Sequence, residues 1–98
     1  MDLNKKKFPC WKDISIIIFD FDGVFTDNKV FIDQNGTEFV RCDRSDGLGI
    51  DLLKKFKEKM DWELDYFIVS TEKNKVVTQR ASKLKIECYQ NVKNKREF

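Results

Sequence analysis

The apolar residues of the chain fall into short blocks, and the first block is Ile16–Phe19. It is continuous, rich in β-branched residues, and ends abruptly at Asp20. Such a run is typical of a strand that is buried on both faces of a parallel sheet. We therefore predict a first strand over about residues 14–20.

Residues 30–42 read VFIDQNGTEFVRC, in which two β-prone runs flank Asn35-Gly36. This turn pair is the one best suited to a tight hairpin. We predict a hairpin that projects from the end of the first strand. A free-standing, fully exposed hairpin is the less favoured interpretation, because isolated hairpins are marginally stable in water.

A helix is predicted to begin near Ser45-Asp46, since both residues are good N-caps. Five apolar side chains then recur at helical spacing and are expected to face the sheet. They are Leu48, Leu52, Leu53, Phe56 and Met60.

The second half of the chain again alternates predicted strands with a predicted helix. A strand is predicted over about residues 64–69, a helix over about 73–85, and a short strand over 87–89. Val77, Ala81 and Leu84 of that helix are expected to point inward. Strand, helix, strand, helix, strand is a βαβαβ part of a doubly wound α/β sheet.

Composition narrows the class of protein. The 98 residues allow one domain, and 19 basic residues nearly balance 17 acidic ones to give a net charge of +2. The chain has no histidine, which excludes serine–histidine hydrolysis and histidine metal sites. The cysteines Cys10, Cys42 and Cys88 form no CxxC pair, so zinc and a disulfide framework are not expected.

The N-terminal residues 1–12 form a polar, lysine-bearing lead-in that contains Lys5, Lys6 and Lys7. These lysines could contact an anionic partner, but a solvated tail is favoured because no aromatic or arginine stripe accompanies them. No apolar core of a signal peptide and no apolar run of membrane-spanning length is present. We expect a cytoplasmic protein that binds neither nucleic acid nor membrane.

Asp20 and Asp22 are the first candidate functional residues. They follow the first predicted strand two positions apart, so an extended backbone would place them on the same side. Ligands of open α/β sheets bind beyond the carboxyl ends of the strands. Two carboxylates there repel each other unless a cation or a proton lies between them. An acidic turn without a function is the alternative.

Three segments resemble one family of enzymes. DFDGVFTD fits the DxDGxxTD signature of the haloacid-dehalogenase-like phosphatases. FIDQNGTEFVRCDRSDGLGI is similar to the hairpin and first helix of the capless branch of that family. STEKN, RASKLKI and YQNVKNK are similar to its second and third motifs. The resemblance implies a Rossmann-like haloacid-dehalogenase core in which the hairpin stands in place of a cap.

Members of this branch dephosphorylate 3-deoxy-octulosonate 8-phosphate, in lipopolysaccharide biosynthesis, or the nine-carbon KDN and sialic acid 9-phosphates. The resemblance therefore implies a phosphatase that acts on a phosphorylated acidic sugar. Asp20 would be the nucleophile that forms an aspartyl-phosphate, and Asp22 the general acid and base. Asp20, with the backbone carbonyl of Asp22, would also hold Mg²⁺. Ser70 would bond a phosphoryl oxygen.

The third motif implies that Lys95 neutralises charge on the phosphoryl group, and Lys93 is a rival two residues away. The family usually has glycine at the position of Asn91. Glu72 and Lys73 replace a glycine-arginine pair of many octulosonate phosphatases.

Members that act on nine-carbon sugars often carry a glutamate at that position, followed by an arginine and a lysine in the next helix. Arg80 and Lys83 match those two positions, which favours a nine-carbon substrate. A solvated basic helix face is the alternative. The implied substrate-binding set is Thr26, Asp46, Glu72, Arg80 and Lys83.

Assembly and chain length complete the expectations. In the resembling family a neighbouring subunit closes the site, which implies a homotetramer. The family's fourth, acidic GDD-like motif is not found in residues 1–98, so we expect a single domain that is incomplete at its C-terminus. Weak metal binding and an apolar edge at Ile16–Phe19 would follow. The alternative function is a noncatalytic association module, as in domains fused to CMP-sialate synthetases.

Overall fold

The computed structural model describes residues 10–93. Within them a 3-10 turn at Trp11–Asp13 precedes five strands and two helices. The elements are β1 Ile16–Phe19, β2 Thr26–Ile32, β3 Glu38–Cys42, α1 Ser45–Lys59, β4 Asp65–Val69, α2 Val76–Leu84 and β5 Glu87–Tyr89. Neither helix of this part of the chain is long and apolar enough to cross a membrane.

A three-stranded parallel sheet has the order β1-β4-β5. Phe19 of β1 lies opposite Ile68 of β4, and Ile68 lies opposite Cys88 of β5. The chain thus crosses the sheet in one direction, with α1 and α2 as the two crossovers. This arrangement confirms the predicted βαβαβ order.

Both helices pack on the same face of this sheet. The buried core joins Ile50 of α1 and Val77 and Ala81 of α2 to Ile68 of β4. Right-handed crossovers that proceed in one direction along a sheet place their helices on one face. Val77, Ala81 and Leu84 point inward as predicted.

The opposite face of β1 is uncovered, so the prediction of a strand buried on both faces is wrong. Ile16 and Ile18 are 54% and 56% exposed. Ile17 and Phe19, which alternate with them, are partly buried beneath the helices. The apolar run correctly predicted a strand, but one face of that strand has no covering layer among residues 10–93.

The orientation of α1 also differs from the prediction. Leu48, Leu52 and Met60 are 63%, 58% and 45% exposed, whereas Ile50 is buried. Contacts with α2 explain why α1 presents Ile50, rather than the predicted stripe, to the core. Gly47 lies against the Leu84 side chain, and Lys54 Nζ donates to the Lys85 carbonyl oxygen at 2.9 Å.

The start of α1 at Ser45 agrees with the prediction, but the capping does not. Arg44 occupies the N-cap position without a side-chain hydrogen bond. The Asp43 carboxylate instead accepts from the Ser45 N–H at 2.9 Å and from the Ser45 hydroxyl at 2.8 Å. Ser45 and Asp46 are therefore first-turn residues.

An aromatic cluster closes the amino end of the sheet. Trp11 packs edge-on against Phe56 and Trp62, with ring centroids 5.0 and 5.2 Å apart. Trp62 Nε1 donates to the Ile14 carbonyl oxygen at 2.9 Å. The polar lead-in predicted for residues 1–12 thus contains a packed tryptophan, while Lys5, Lys6 and Lys7 lie outside the described residues.

The predicted hairpin is confirmed as the antiparallel pair of β2 and β3, with Ile32 opposite Glu38. Its turn is wider than a two-residue Asn-Gly turn. The Asp33 N–H donates to the Thr37 carbonyl oxygen at 3.1 Å, which encloses residues 34–36. Gly36 takes the left-handed conformation with φ of 81°, as in three-residue hairpin loops.

Candidate functional site

The carboxyl edge of the parallel sheet brings two of the predicted chemical groups together. Phe19 and Ile68 are paired in register, so Asp20 follows β1 and Ser70 follows β4 at the same edge. Asp22 comes two residues after Asp20. Carboxylates and a hydroxyl at this edge occupy the place where α/β sheets bind ligands.

The loop that carries the aspartates is anchored from within. Phe21, which lies between Asp20 and Asp22 in the sequence, is fully buried, and its N–H donates to Asp20 Oδ1 at 2.9 Å. Thr26 Oγ1 accepts from the Gly23 N–H at 3.2 Å and from the Asn28 N–H at 3.0 Å. The Thr26 side chain, predicted to bind substrate, therefore also holds the ends of this loop together.

Ser70 is 1% exposed and is fixed on several sides. Its N–H donates to the Tyr89 carbonyl oxygen at 2.9 Å, and its own carbonyl oxygen accepts from the Val92 N–H at 2.9 Å. Ser70 Oγ accepts from the Glu72 N–H at 3.0 Å. A hydroxyl that accepts one hydrogen bond still carries a proton that it can donate.

The loop after β5 is held beside Ser70 through Asn91. Its N–H donates to the Glu72 carbonyl oxygen at 3.1 Å, and its φ is 59°. Asparagine adopts this left-handed conformation more readily than other residues with a side chain, so it can stand where the resembling family has glycine. The exposed Lys93 follows, and Lys95 lies outside the described residues.

Three predicted site residues line one pocket of about 210 Å³: Asp22, Thr26 and Glu72. The hairpin forms the opposite wall, with residues that include Lys29, Val30, Glu38 and Val40. The pocket is therefore assembled within one chain between the sheet edge and the hairpin.

The Glu72 carboxylate in this pocket is directed toward its own backbone. Glu72 Oε1 accepts from the Lys73 N–H at 2.9 Å and from the Asn74 N–H at 3.0 Å. These bonds fix the turn between β4 and α2. The role in substrate binding predicted for Glu72 would have to use the second carboxylate oxygen.

A larger groove of about 620 Å³ lies at the base of the hairpin. Thr26 and Asp46 line it, together with residues that were not predicted as site residues: Asp27, Arg41, Cys42, Asp43 and Arg44. Arg41 Nη2 lies 2.7 Å from Asp27 Oδ2 in an ion pair across the hairpin. Asp27 is the last residue of the DFDGVFTD motif, and the other four lie in the segment FIDQNGTEFVRCDRSDGLGI, so these two segments are the sequence signal that could have indicated the groove.

Local hydrogen bonds and charges lower the pKa of two acidic side chains in this groove. The pKa of Asp43 is below its ordinary value because the Ser45 N–H and hydroxyl donate to its carboxylate. Partial desolvation raises the pKa of Asp27, but the Lys29 N–H and Arg41 outweigh it and lower the pKa overall. Burial raises the pKa of the Cys42 thiol, so this cysteine is not an activated nucleophile.

Arg80 and Lys83 lie away from the pocket of Asp22, Thr26 and Glu72. Arg80 Nη2 donates to the Asp43 carbonyl oxygen at 2.8 Å, behind the larger groove. Its Nε is buried without a hydrogen-bond partner among the residues that the structure describes. Lys83 is exposed on α2.

The donor set at the sheet edge suits a hard cation that completes its shell with substrate and water. Residues 10–93 contain no cluster of three or more histidine, cysteine, aspartate or glutamate side chains that could hold a metal ion. The Asp20 carboxylate and the Asp22 backbone carbonyl are the oxygen donors at this edge. Mg²⁺ is commonly bound by one or two carboxylates together with substrate phosphate and water, so these residues fit it.

No protein-family model matches the sequence. Solved structures do match. A protein assigned to the HAD (haloacid dehalogenase) hydrolase family from Streptomyces avermitilis is 43% identical over 91% of this chain, with a TM-score of 0.72. The chain has a haloacid-dehalogenase-like fold.

Two further neighbours agree in fold. A protein assigned to subfamily III A of the HAD hydrolases, from Legionella pneumophila, is 32% identical over 88% of this chain, with a TM-score of 0.73. The 3-deoxy-D-manno-octulosonate 8-phosphate phosphatase of Moraxella catarrhalis, in complex with magnesium, phosphate and KDO, is 27% identical over 86% of it, with a TM-score of 0.70. This chain covers 48%, 44% and 45% of the three neighbours, respectively.

Proposed function

We propose that this chain forms the nucleophile-bearing part of a Mg²⁺-dependent phosphatase that hydrolyses 3-deoxy-2-ulosonate phosphates. The observation that carries the proposal is the edge shared by Asp20, Asp22 and Ser70 at the carboxyl ends of β1 and β4. The likeness to HAD hydrolases and to an octulosonate 8-phosphate phosphatase supports it.

The reaction divides into two displacements at phosphorus. A carboxylate oxygen of Asp20 attacks phosphorus, the bond from phosphorus to the sugar oxygen breaks, and an aspartyl-phosphate forms. Asp22 gives its proton to the departing sugar oxygen. Water then attacks the phosphorus, Asp22 takes its proton, and phosphate and free Asp20 result.

The surrounding groups would orient and neutralise the phosphoryl group. The Ser70 hydroxyl can donate to a phosphoryl oxygen without adding negative charge. Mg²⁺ at Asp20 and Asp22, when bound, supplies charge neutralisation of the phosphate. Lys95, with Lys93 as the alternative, would add a second positive charge.

The substrate class rests on the acidic sugar bound to the Moraxella neighbour and on the charges of this chain. We propose that Asp46, Thr26 and Glu72 contact the sugar and that Arg80 and Lys83 favour a carboxylate. Glu72, Arg80 and Lys83 together favour a nine-carbon 9-phosphate over octulosonate 8-phosphate. Arg80 would have to exchange its bond to the Asp43 carbonyl for one to the substrate.

A substrate panel tests the proposal. Phosphate release is measured with Mg²⁺ from octulosonate 8-phosphate, KDN 9-phosphate and glucose 6-phosphate. Charge-assisted contacts of about 1.5–3 kcal/mol predict at least about tenfold preference for the acids. Asp20→Asn is the control and should abolish release. Equal rates on the three sugars would reject carboxylate recognition, and equal activity in Asp20→Asn would reject the nucleophile.

A second candidate function, an association module without catalysis, is favoured by the hairpin. Phe31 and Ile32 of β2 are 66% and 65% exposed, although they are apolar. We propose that the hairpin joins copies of the chain in a homo-oligomer, with a tetramer as the expected state. Assembly without any Mg²⁺-dependent phosphate release from the panel would favour this function over the phosphatase.

A further inference from the structure

Strand β2 is irregular where it borders the hairpin pocket, the cavity of about 210 Å³ between the sheet edge and the hairpin. Between the pairs Thr26–Cys42 and Val30–Val40, residues 27–29 of β2 face a single residue of β3. These three residues form a β-bulge. Bulges re-aim the side chains of their strand and are over-represented next to active sites.

The bulge is fixed by side chains of its own and of the opposite strand. Thr26 Oγ1 accepts from the Asn28 N–H at 3.0 Å, and Asp27 Oδ1 accepts from the Lys29 N–H at 3.1 Å. Asn28 takes the left-handed conformation, with φ of 62°. Asp27 is in turn paired with Arg41 of β3 at 2.7 Å. The direction of the chain at Lys29 is therefore set on both sides of the bulge.

The bulge brings Lys29 to the hairpin pocket. Consecutive side chains of a regular strand point to opposite faces, yet Lys29 and Val30 both line the pocket. Val40, which is paired with Val30, lines it as well. In a regular strand Lys29 would lie on the face of the hairpin opposite to these two valines.

Lys29 is the one cation among the described residues that line the hairpin pocket. The acids Asp22, Glu38 and Glu72 line the same pocket. Because like charges repel, an anionic ligand is accepted there only where a positive charge offsets these carboxylates. Carboxylates also accept hydrogen bonds from hydroxyl groups, so the acids suit a polyhydroxylated ligand.

The two cations that the sequence resemblance favours for a substrate carboxylate lie elsewhere. Neither Arg80 nor Lys83 is among the residues that line the hairpin pocket. Arg80 Nη2 is already bonded to the Asp43 carbonyl oxygen. Lys29 is therefore the cation that a ligand beside Asp22 meets without any rearrangement of α2.

We propose that Lys29 is a specificity-determining residue that binds the carboxylate of a sugar acid in the hairpin pocket. Its ammonium group donates charge-assisted hydrogen bonds to that carboxylate, and the Glu38 carboxylate accepts from the sugar hydroxyls. The inference rests on the proposed function, because it concerns the acidic sugar part of the same substrate. It adds a contact from the hairpin to those proposed for α2.

The test measures binding without turnover, on the full 98-residue chain. The probes are KDN, a sugar acid that carries no phosphate, and its methyl ester, in which the carboxylate is neutral. We expect KDN to bind at least about tenfold more tightly than the ester, as one charge-assisted contact provides. In an NMR titration the amide signals of Lys29 and Val30 should shift as KDN is added.

Three variants make the test specific. Lys29→Met removes the charge at nearly constant length and should lose about tenfold of this preference. Lys29→Arg keeps the charge and should keep the preference. Lys55→Met is the matched control, because Lys55 is exposed on α1 and does not line the hairpin pocket; it should leave the preference unchanged. Circular dichroism checks that each variant is folded.

The proposal is overturned if the wild type binds neither probe, if it binds both equally, or if folded Lys29→Met retains the preference. Phosphate release separates this inference from the phosphatase. Release that prefers acidic sugars, and still does so in Lys29→Met, rejects the role of Lys29 alone. Binding of KDN that depends on Lys29, without any phosphate release, supports the role of Lys29 and rejects the phosphatase.

Discussion

Arg80 Nη2 donates a hydrogen bond to the Asp43 carbonyl oxygen at 2.8 Å and thereby joins α2 to the turn before α1. The two residues are far apart in sequence, and Asp43 also begins the helix through its carboxylate. A residue that the sequence marks as a substrate ligand thus has a structural contact. The two roles make different predictions.

The structural contact predicts that Arg80→Ala lowers the free energy of unfolding by about 1 kcal/mol, the usual net contribution of one hydrogen bond. Lys83→Ala on the same helix is the matched control, because Lys83 is exposed, and it should change stability by less than about 0.5 kcal/mol. Urea unfolding followed by circular dichroism measures both. Equal stability of the two variants would show that the Asp43 bond contributes nothing.

The lowered pKa of Asp43 predicts a pH-dependent contribution to stability. The ordinary pKa of this carboxyl group is 3.8. A carboxylate whose pKa is lower in the folded than in the unfolded chain stabilises the fold at pH values above that ordinary pKa. That contribution is lost as the pH falls through the lowered folded-state pKa. Asp43→Asn should therefore be less stable than the wild type at pH 7, and the difference should shrink below pH ~3.8. A constant difference across this range in urea titrations would contradict the assignment.

Gly36 and Gly49 form a matched pair for backbone conformation. An added Cβ would meet nothing within 4 Å at either residue, but only Gly36 has a left-handed φ, of 81°. Gly36→Ala should destabilise the protein by about 1 kcal/mol or more. Gly49→Ala, inside α1, should stabilise it by up to about 1 kcal/mol. Thermal unfolding of the two variants should shift the Tm in opposite directions, and shifts of the same sign would count against the loop geometry.

The carboxylates at the sheet edge predict a separation of metal binding from turnover. Asp20→Asn should weaken Mg²⁺ binding and abolish phosphate release. Asp22→Asn should leave Mg²⁺ binding largely intact and suppress release, because its carbonyl is retained while its proton-transfer group is lost. Calorimetric titration with millimolar Mg²⁺ and a phosphate analogue measures the first quantity. Absence of binding by the wild type would argue against a working site.

The exposed hairpin predicts a homo-oligomer. Burying Phe31 and Ile32 between copies would gain free energy because apolar side chains leave water. Light scattering at tens of micromolar should show an oligomer, with a tetramer expected, and Phe31→Lys should reduce its mass. Ile18→Lys, on a different surface, is the control. A monodisperse wild-type monomer would contradict this prediction.

Much of the fold could be predicted from the sequence, because secondary structure depends largely on local residue patterns. The run Ile16–Phe19 is short and rich in β-branched residues, and it forms β1 as predicted. Asn35-Gly36 lies within the hairpin turn. Asp20 and Ser70 could be placed at one edge because parallel strands end at the same side of a sheet. Resemblance to known motifs added the expected chemistry to that placement.

The turn geometry shows where local prediction ended. An Asn-Gly pair favours a two-residue turn, but the Asp33 carboxylate accepts from the Asn35 and Thr37 N–H groups at 2.8 and 3.0 Å. These bonds select a wider loop. The side chain two residues before the turn pair decided its form, which the pair by itself could not indicate.

The sequence by itself thus determined which segments are strands and helices and which acids follow β1, because backbone propensity and residue spacing are local properties. Only the tertiary structure decided which faces are covered. The stripe of Leu48, Leu52 and Met60 has helical spacing, yet it faces outward because Gly47 and Lys54 bring α1 against α2. Ile16 and Ile18 are exposed because both crossover helices lie on the opposite face of the sheet, and the burial of a side chain depends on the layer packed above it.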